Sequence, residues 1–259
     1  MANAEIVELY PSVQDQVSAE EWEMRVNLAA AYRLVELYDM SDMTRTHISA
    51  HVPGEDTFLL NPYGLMFSEV TASSLIKVDQ DGNEINNTGP YKINAAGFTI
   101  HSAVHGHSKE FACVLHTHSE AGMALSAMDC GLLPISQHSM RFYNRIAYHD
   151  YEGIALDLDE RARLINDLGD NRAMILRNHG FLTAGRTVAE AFSLVFYLEK
   201  CAKSQIQAMS AVGIDGLVTP SPEVCEHTAQ QFERNPNFSN LDWPGHLRRL
   251  DALDPSYAS

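Results

Sequence analysis

Apolar residues recur at helical spacing near the start of the chain. In "SAEEWEMRVNLAAAYRLVELYDM", Trp22, Val26, Ala29, Ala30, Leu34 and Leu37 fall on one face, which predicts a helix. Ser18 and Glu21 precede that face with the spacing of a capping box. The pattern then changes. "HISAHVPGEDTFLLNPYGLMF" consists of short β-rich pieces broken by Pro-Gly and Asn-Pro-Tyr-Gly, both turn chemistry. "SLIKVDQDGNEI" alternates on either side of Asp81-Gly82, a hairpin signal. "AGFTIHSAVHGHS" predicts a helix and "FACVLHTH" a strand. "SEAGMALSAM" predicts a further helix with Ser119 as N-cap. "DLDERARLINDLGD" is helical with Gly169 as its stop. "AMILRNHGFLTAG" is a buried strand and turn, and a long helix runs from Thr187, with Glu190 completing a second capping box, to Gly213. "TPSPEVCEHTAQQF" predicts a loop and a short helix, and "WPGHLRRLDALDPSYAS" a final helix with a polar end. The alternation of strands and helices, with hairpins, predicts an α/β fold whose mostly antiparallel sheet carries helices on its faces.

Composition narrows the partners. The chain has 259 residues, 45% apolar and 20% charged, enough to bury a sizeable core. A net charge of −16 argues against nucleic acid or an anionic membrane as partner. Cys113, Cys130, Cys201 and Cys225 have no CxxC spacing and are expected to be reduced. With no leader pattern and no apolar run of spanning length, a cytoplasmic location is expected. The first ~15 residues and the last ~45, richer in Pro, Asn and Asp, are expected to form an arm and a tail around a single domain spanning 1–259.

The candidate chemistry lies in "ACVLHTHSEAG". His116 and His118 are two apart, and on a strand such residues share a face. A shared face is what two ligands of one ion require. A third imidazole with an open position would complete a catalytic metal site. With twelve histidines in the chain the third ligand stays open on spacing alone. His179 is the natural choice, at the end of the strand "AMIL", where Gly180 permits a sharp turn. Three imidazoles suit zinc, with Mn, Fe, Co or Ni as alternatives.

Four long stretches occur in order: "FLLNPYGLMFSEVTASSLIKVDQDGN", "NAAGFTIHSAVHGHSKEFACVLHTH", "AMDCGLLPIS" with "AYHDYEG", and "ILRNHGFLTAGRTVAEAF". Over about residues 20–215 they resemble the class II aldolase/adducin family, most closely the adducin head and its bacterial relatives. The resemblance implies a three-layer α/β/α sandwich with a central, mostly antiparallel sheet. It also implies a tetramer with sites between subunits and zinc held by His116, His118 and His179. It marks His47, His51, Gly64 and Gly97 as substrate-binding positions. His138 falls near the place where a neighbouring subunit of the family supplies a proton donor, a task imidazole can perform near neutral pH.

One departure changes the expected activity. Where the family's sugar-phosphate aldolases carry Ser-Ser-Glu, this chain has Ala95, Ala96 and Gly97. Two hydroxyl donors and the carboxylate that serves as ligand and base are replaced by side chains that can neither hydrogen-bond nor ionise. Other groups near the motifs carry weaker expectations. Glu120 is expected to sit in a helix's first turn and Glu69 to be a surface or paired charge. Tyr148 and Tyr151 are expected to pack. Arg141 or Arg145 is open to a substrate carboxylate or to a surface pair.

The expected function is therefore a metal-dependent lyase, of aldolase or decarboxylase type. Its substrate would be a small non-phosphorylated hydroxy-carbonyl or carboxylate compound, cleaved through a metal-stabilised enolate. Decarboxylation needs no base to begin and so tolerates the missing carboxylate better. The alternative is a non-catalytic assembly or binding module like the adducin head.

Overall fold

The computed structural model of the chain describes residues 9–153, 159–235 and 238–259. Residues 1–8 of the predicted arm, and 157–158 at the start of a predicted helix, lie outside them. Among the described residues the eight strands are β1 (His47–His51), β2 (Thr57–Leu60), β3 (Ile76–Asp79), β4 (Glu84–Asn86), β5 (Cys113–Thr117), β6 (Ala147–His149), β7 (Ala173–Leu176) and β8 (Gly180–Gly185). They form one sheet in the order β4–β3–β2–β1–β5–β8–β7–β6. Every neighbouring pair is antiparallel except β6 with β7. The helices are α1 (Ala19–Leu37), α2 (Ala95–His107), α3 (Glu120–Ser126), α4 (Gln137–Met140), α5 (Glu160–Leu168), α6 (Val188–Val212), α7 (Pro222–Glu233) and α8 (Phe238–Leu253).

The period of two along each strand sorts the core into two layers. Ile48, Ala50, Cys113, Leu115, Ala173 and Ile175 pack with α1 and α6 on one face. Val114, Met174, Leu176 and Leu182 pack with Ile100 and Val104 of α2 and Leu164 and Leu168 of α5 on the other. The result is an α/β/α sandwich. His47, Ser49, His51 and His116 have the parity of the second face, which α2 covers.

Both predicted capping boxes are half formed. Ser18 accepts from the Glu21 N–H at 3.1 Å, but the Glu21 carboxylate is buried and accepts from Arg25 Nε and Lys77 Nζ, both at 2.8 Å. Thr187 accepts from the Glu190 N–H at 3.1 Å, while Glu190 binds Arg172 Nη1 at 2.8 Å. A charged partner outbids a neutral cap N–H for a carboxylate. The last helix begins earlier than predicted, at Phe238, and contains Pro244. The end of the chain is docked rather than free: Tyr257 is buried, and the Tyr257 and Ser259 carbonyls accept from the N–H groups of Ala72 and Ser73. All four cysteines are unpaired. No described helix is long and apolar enough to cross a membrane.

Candidate metal centre

His116 lies on β5 with its side chain buried, and His118 follows two residues on, past the strand's end. His179 comes from the turn between β7 and β8, which antiparallel pairing with β5 brings alongside. That turn is held by the His179 N–H, which donates to Ser126 Oγ at the end of α3 at 3.1 Å. The sharp bend is carried by Asn178 at φ 55°, a left-handed conformation that Asn tolerates. Gly180 has a different task from the one predicted. A Cβ there would sit 2.2 Å from the Thr117 carbonyl oxygen, so only glycine lets β8 start against the HxH strand end.

The three Nε2 atoms converge. His118 Nε2 is 2.8 Å from His116 Nε2 and 2.9 Å from His179 Nε2. The outer nitrogens decide what these contacts mean. His116 Nδ1 is 2.8 Å from the Phe181 carbonyl oxygen, which can only accept, so Nδ1 carries the proton. His118 Nδ1 is 3.0 Å from an Asp42 carboxylate oxygen, and donates in the same way. In the neutral rings both Nε2 atoms then present lone pairs to each other. Lone pairs at that separation repel unless a cation lies between them. Imidazoles on one ion at about 2.0–2.1 Å stand about 2.9 Å apart at right angles and about 3.3 Å apart at tetrahedral ones. The donor set therefore fits a divalent ion with adjustments of a few tenths of an ångström at most. It is the one group of three or more His, Cys, Asp or Glu among the described residues with the spacing of a metal site. Burial holds His116 well below the usual imidazole range, with His179 and His118 adding to the effect. Burial and then His118 bring His179 down to about 4. Neutral imidazole is the form that ligates. Asp42 stands where a carboxylate that orients a ligating histidine would stand. No periodicity marks it in the sequence, since it sits in the loop between α1 and β1.

The other predicted site residues divide. His47 is directly opposite His116 in the β1–β5 register, with ring centroids 5.2 Å apart. Gly97, in the first turn of α2, covers the His47 ring: a Cβ there would lie 2.5 Å from His47 Cδ2 and 2.8 Å from Nε2. His51 is set further along the strand, against His105 at 4.4 Å. Gly64 is exposed after β2, at φ 133° beneath the Tyr91 ring. His138, on α4, is exposed and lies tilted against Tyr197 of the same chain, ring centroids 4.6 Å apart, outside the histidine set. Glu120 lies in the first turn of α3 as expected. Glu69 accepts from the Met66 N–H at 2.7 Å.

Tyr148 packs, its ring 4.4 Å from the Arg177 guanidinium. Tyr151 does not: it is 55% exposed and edge-on to His179, with centroids 6.3 Å apart. Phe142 is 2% exposed and belongs to the core, because the α4 segment packs against α6. Arg145 is paired with Glu226 and Glu233. Arg141 donates to Ser193 Oγ at 3.3 Å. Both line a cleft of about 320 Å³ with Arg172 and Arg186, whose walls include none of the three histidines.

Sequence reasoning also missed His101 and His105. They are four apart on α2, hence on one helix face, and that face meets β1.

Comparison with known proteins adds to this geometry. Residues 26–206 match the family described as "Class II Aldolase and Adducin N-terminal domain". A protein of Caulobacter vibrioides, named only as a candidate class 2 aldolase, is 49% identical over 249 residues, covering 95% of this chain and 96% of that one. Alpha-adducin of Rattus norvegicus is 42% identical over 206 residues, which are 77% of this chain but 28% of that protein. The solved structure of an L-fuculose 1-phosphate aldolase from Glaciozyma antarctica superposes with a TM-score of 0.81 at 26% identity, covering 98% of both chains. A three-layer sandwich with a mostly antiparallel sheet, an HxH strand joined by a turn histidine, and a family match over most of the chain agree: this protein belongs to the class II aldolase and adducin family.

Proposed function

We propose that the chain is a metal-dependent carbon–carbon lyase, of aldolase or decarboxylase type, acting on a small non-phosphorylated hydroxy-carbonyl or carboxylate compound. The observation that carries this reading is the convergence of His116, His118 and His179 Nε2, with outer nitrogens held by the Phe181 carbonyl and Asp42. A divalent ion there, zinc by preference, would supply Lewis acidity to a substrate oxygen and offset the negative charge that develops as the bond breaks.

The chain's own groups do the rest. Asp42 fixes the tautomer and the direction of His118. The buried His116 excludes water from the inner side of the site. Tyr151 supplies a phenol at the rim beside His179. Gly97 leaves no carboxylate on α2 to remove a proton. The group that takes up that proton must then come from elsewhere, and His138 of a neighbouring subunit fits that role in a tetramer. Cleavage of a carboxylate that leaves as carbon dioxide is the step least affected, because it starts without a base.

A second reading is an assembly module, favoured by the 42% identity to alpha-adducin. Metal-dependent turnover of any substrate would separate the two. Substrate class is tested by calorimetry on the zinc-loaded protein, comparing L-fuculose 1-phosphate with L-fuculose at fixed ionic strength. The expected result is no preference for the phosphate. A clear preference would show a phosphate grip that Ala95, Ala96 and Gly97 do not supply, and would overturn the non-phosphorylated class.

A further inference from the structure

Behind the three ligands, the same face of the sheet carries a second line of buried polar groups. It begins at a backbone carbonyl. The Phe111 oxygen is 2.9 Å from His105 Nδ1 and can only accept, so that nitrogen bears the proton and His105 Nε2 is an acceptor. Ser49 Oγ, 2.6 Å from that Nε2, therefore donates its hydroxyl hydrogen to it. Oγ then accepts from His101 Nδ1 at 2.5 Å. That leaves His101 Nε2 as an acceptor, and His47 Nδ1 donates to it at 2.7 Å. One carbonyl thus sets the polarity of four side chains, all of them buried. Among the described residues no carboxylate hydrogen-bonds to any of these rings, so nothing compensates an extra positive charge in the line.

The line ends at His47 Nε2, which is left with a lone pair and no hydrogen-bond partner among the described residues. A Cβ at position 97 would lie 2.8 Å from it, and its ring stands 5.2 Å, centroid to centroid, from that of His116. The missing side chain at 97 and the imidazole at 47 are two halves of one feature, since the ring fills the space a side chain at 97 would need.

We infer that His47 presents a fixed hydrogen-bond acceptor to the substrate beside the three-histidine set, so that the group seated against it is a hydroxyl donor and not a phosphate or carboxylate oxygen. This rests on the lyase reading above, and it assigns His47 a positioning and specificity role. An oxygen without a proton would meet the lone pair and be repelled. A hydroxyl would be held and oriented.

The test reads the ring nitrogens directly. Zinc-loaded full-length protein, labelled with ¹⁵N in its histidine rings, is examined by long-range ¹H–¹⁵N correlation, with His47 assigned by its loss in His47→Gln. The inference expects His47 to be protonated at Nδ1 and bare at Nε2. It expects Ser49→Ala to abolish the single tautomer at His101 and His47. A proton on His47 Nε2, alone or together with Nδ1, would overturn it. Metal content is measured on the same samples. A wild type that binds no zinc would refute the lyase reading alone, because the nitrogens are read equally well in metal-free protein. The second arm uses sulfate, which has no proton to donate. His47→Gln can turn an amide N–H toward it and should tighten sulfate binding about tenfold, the scale of one hydrogen bond. No tightening would count against the acceptor role.

Discussion

Adding one methyl group at Gly97 tests how tightly His47 and α2 are interlocked. In Gly97→Ala the new Cβ would stand 2.5 Å from His47 Cδ2 and 2.8 Å from both Cγ and Nε2. Ordinary contact begins near 3.4 Å, so something must move by roughly 0.9 Å. The ring cannot swing away cheaply, because His101 holds Nδ1 and β1 is bonded on both edges. Overpacking of this kind costs about 1–3 kcal/mol. Against it, replacing glycine inside a helix recovers about 0.5–1 kcal/mol. The net expectation is a loss of about 0.5–2 kcal/mol, which at this chain length is a fall in Tm of about 1–8 °C. The same substitution made in a His47→Ala background meets no ring, and should be neutral or stabilising. The assay is thermal unfolding of the four proteins of that cycle, at one protein concentration and one metal load. A coupling of about 1–3 kcal/mol is expected. Equal effects of Gly97→Ala in the two backgrounds would refute the interlock. The same geometry predicts that Gly97→Glu alone would not seat a carboxylate at the ion.

Two further predictions concern the site. Asp42→Ala should weaken zinc binding about 10–100-fold in competition with a chelator, the usual effect of losing a group that orients a ligand; unchanged affinity would show that Asp42 does not set His118. For a shared pocket, His138→Ala should cut turnover about 10²–10⁴-fold without changing metal content, and mixing it with His116→Ala subunits should restore part of the activity; no recovery in verified mixed oligomers would exclude the cross-subunit role.

The sheet and most helices were legible because local patterns and tertiary structure ask for the same thing. The period of two in "FACVLHTH" and "HISAH" places His116 and His47 on the face that α2 covers, and the Asp81-Gly82 hairpin forms as read, with Gly82 at φ 85°. Legibility failed where a partner distant in sequence decided the outcome. Glu21 left its cap for Lys77, a residue on β3. Tyr151 looks like a packing residue by type, yet its place after β6 leaves it exposed beside His179. Asp42 is one acidic residue in a loop, given meaning only by His118, 76 positions on. The line from Phe111 to His47 joins a strand, a helix and a loop, and its polarity depends on distances that no spacing rule supplies.

The central claim is that His116, His118 and His179 hold one divalent ion. It is tested most directly by metal stoichiometry of protein purified without a histidine tag, wild type beside His116→Ala. The account predicts about one ion per chain in the wild type and a near-complete loss in the variant, with the fold retained by circular dichroism, since three imidazoles complete the site. Equal occupancy in the two proteins, or a wild type that takes up no metal when zinc is supplied, would contradict it.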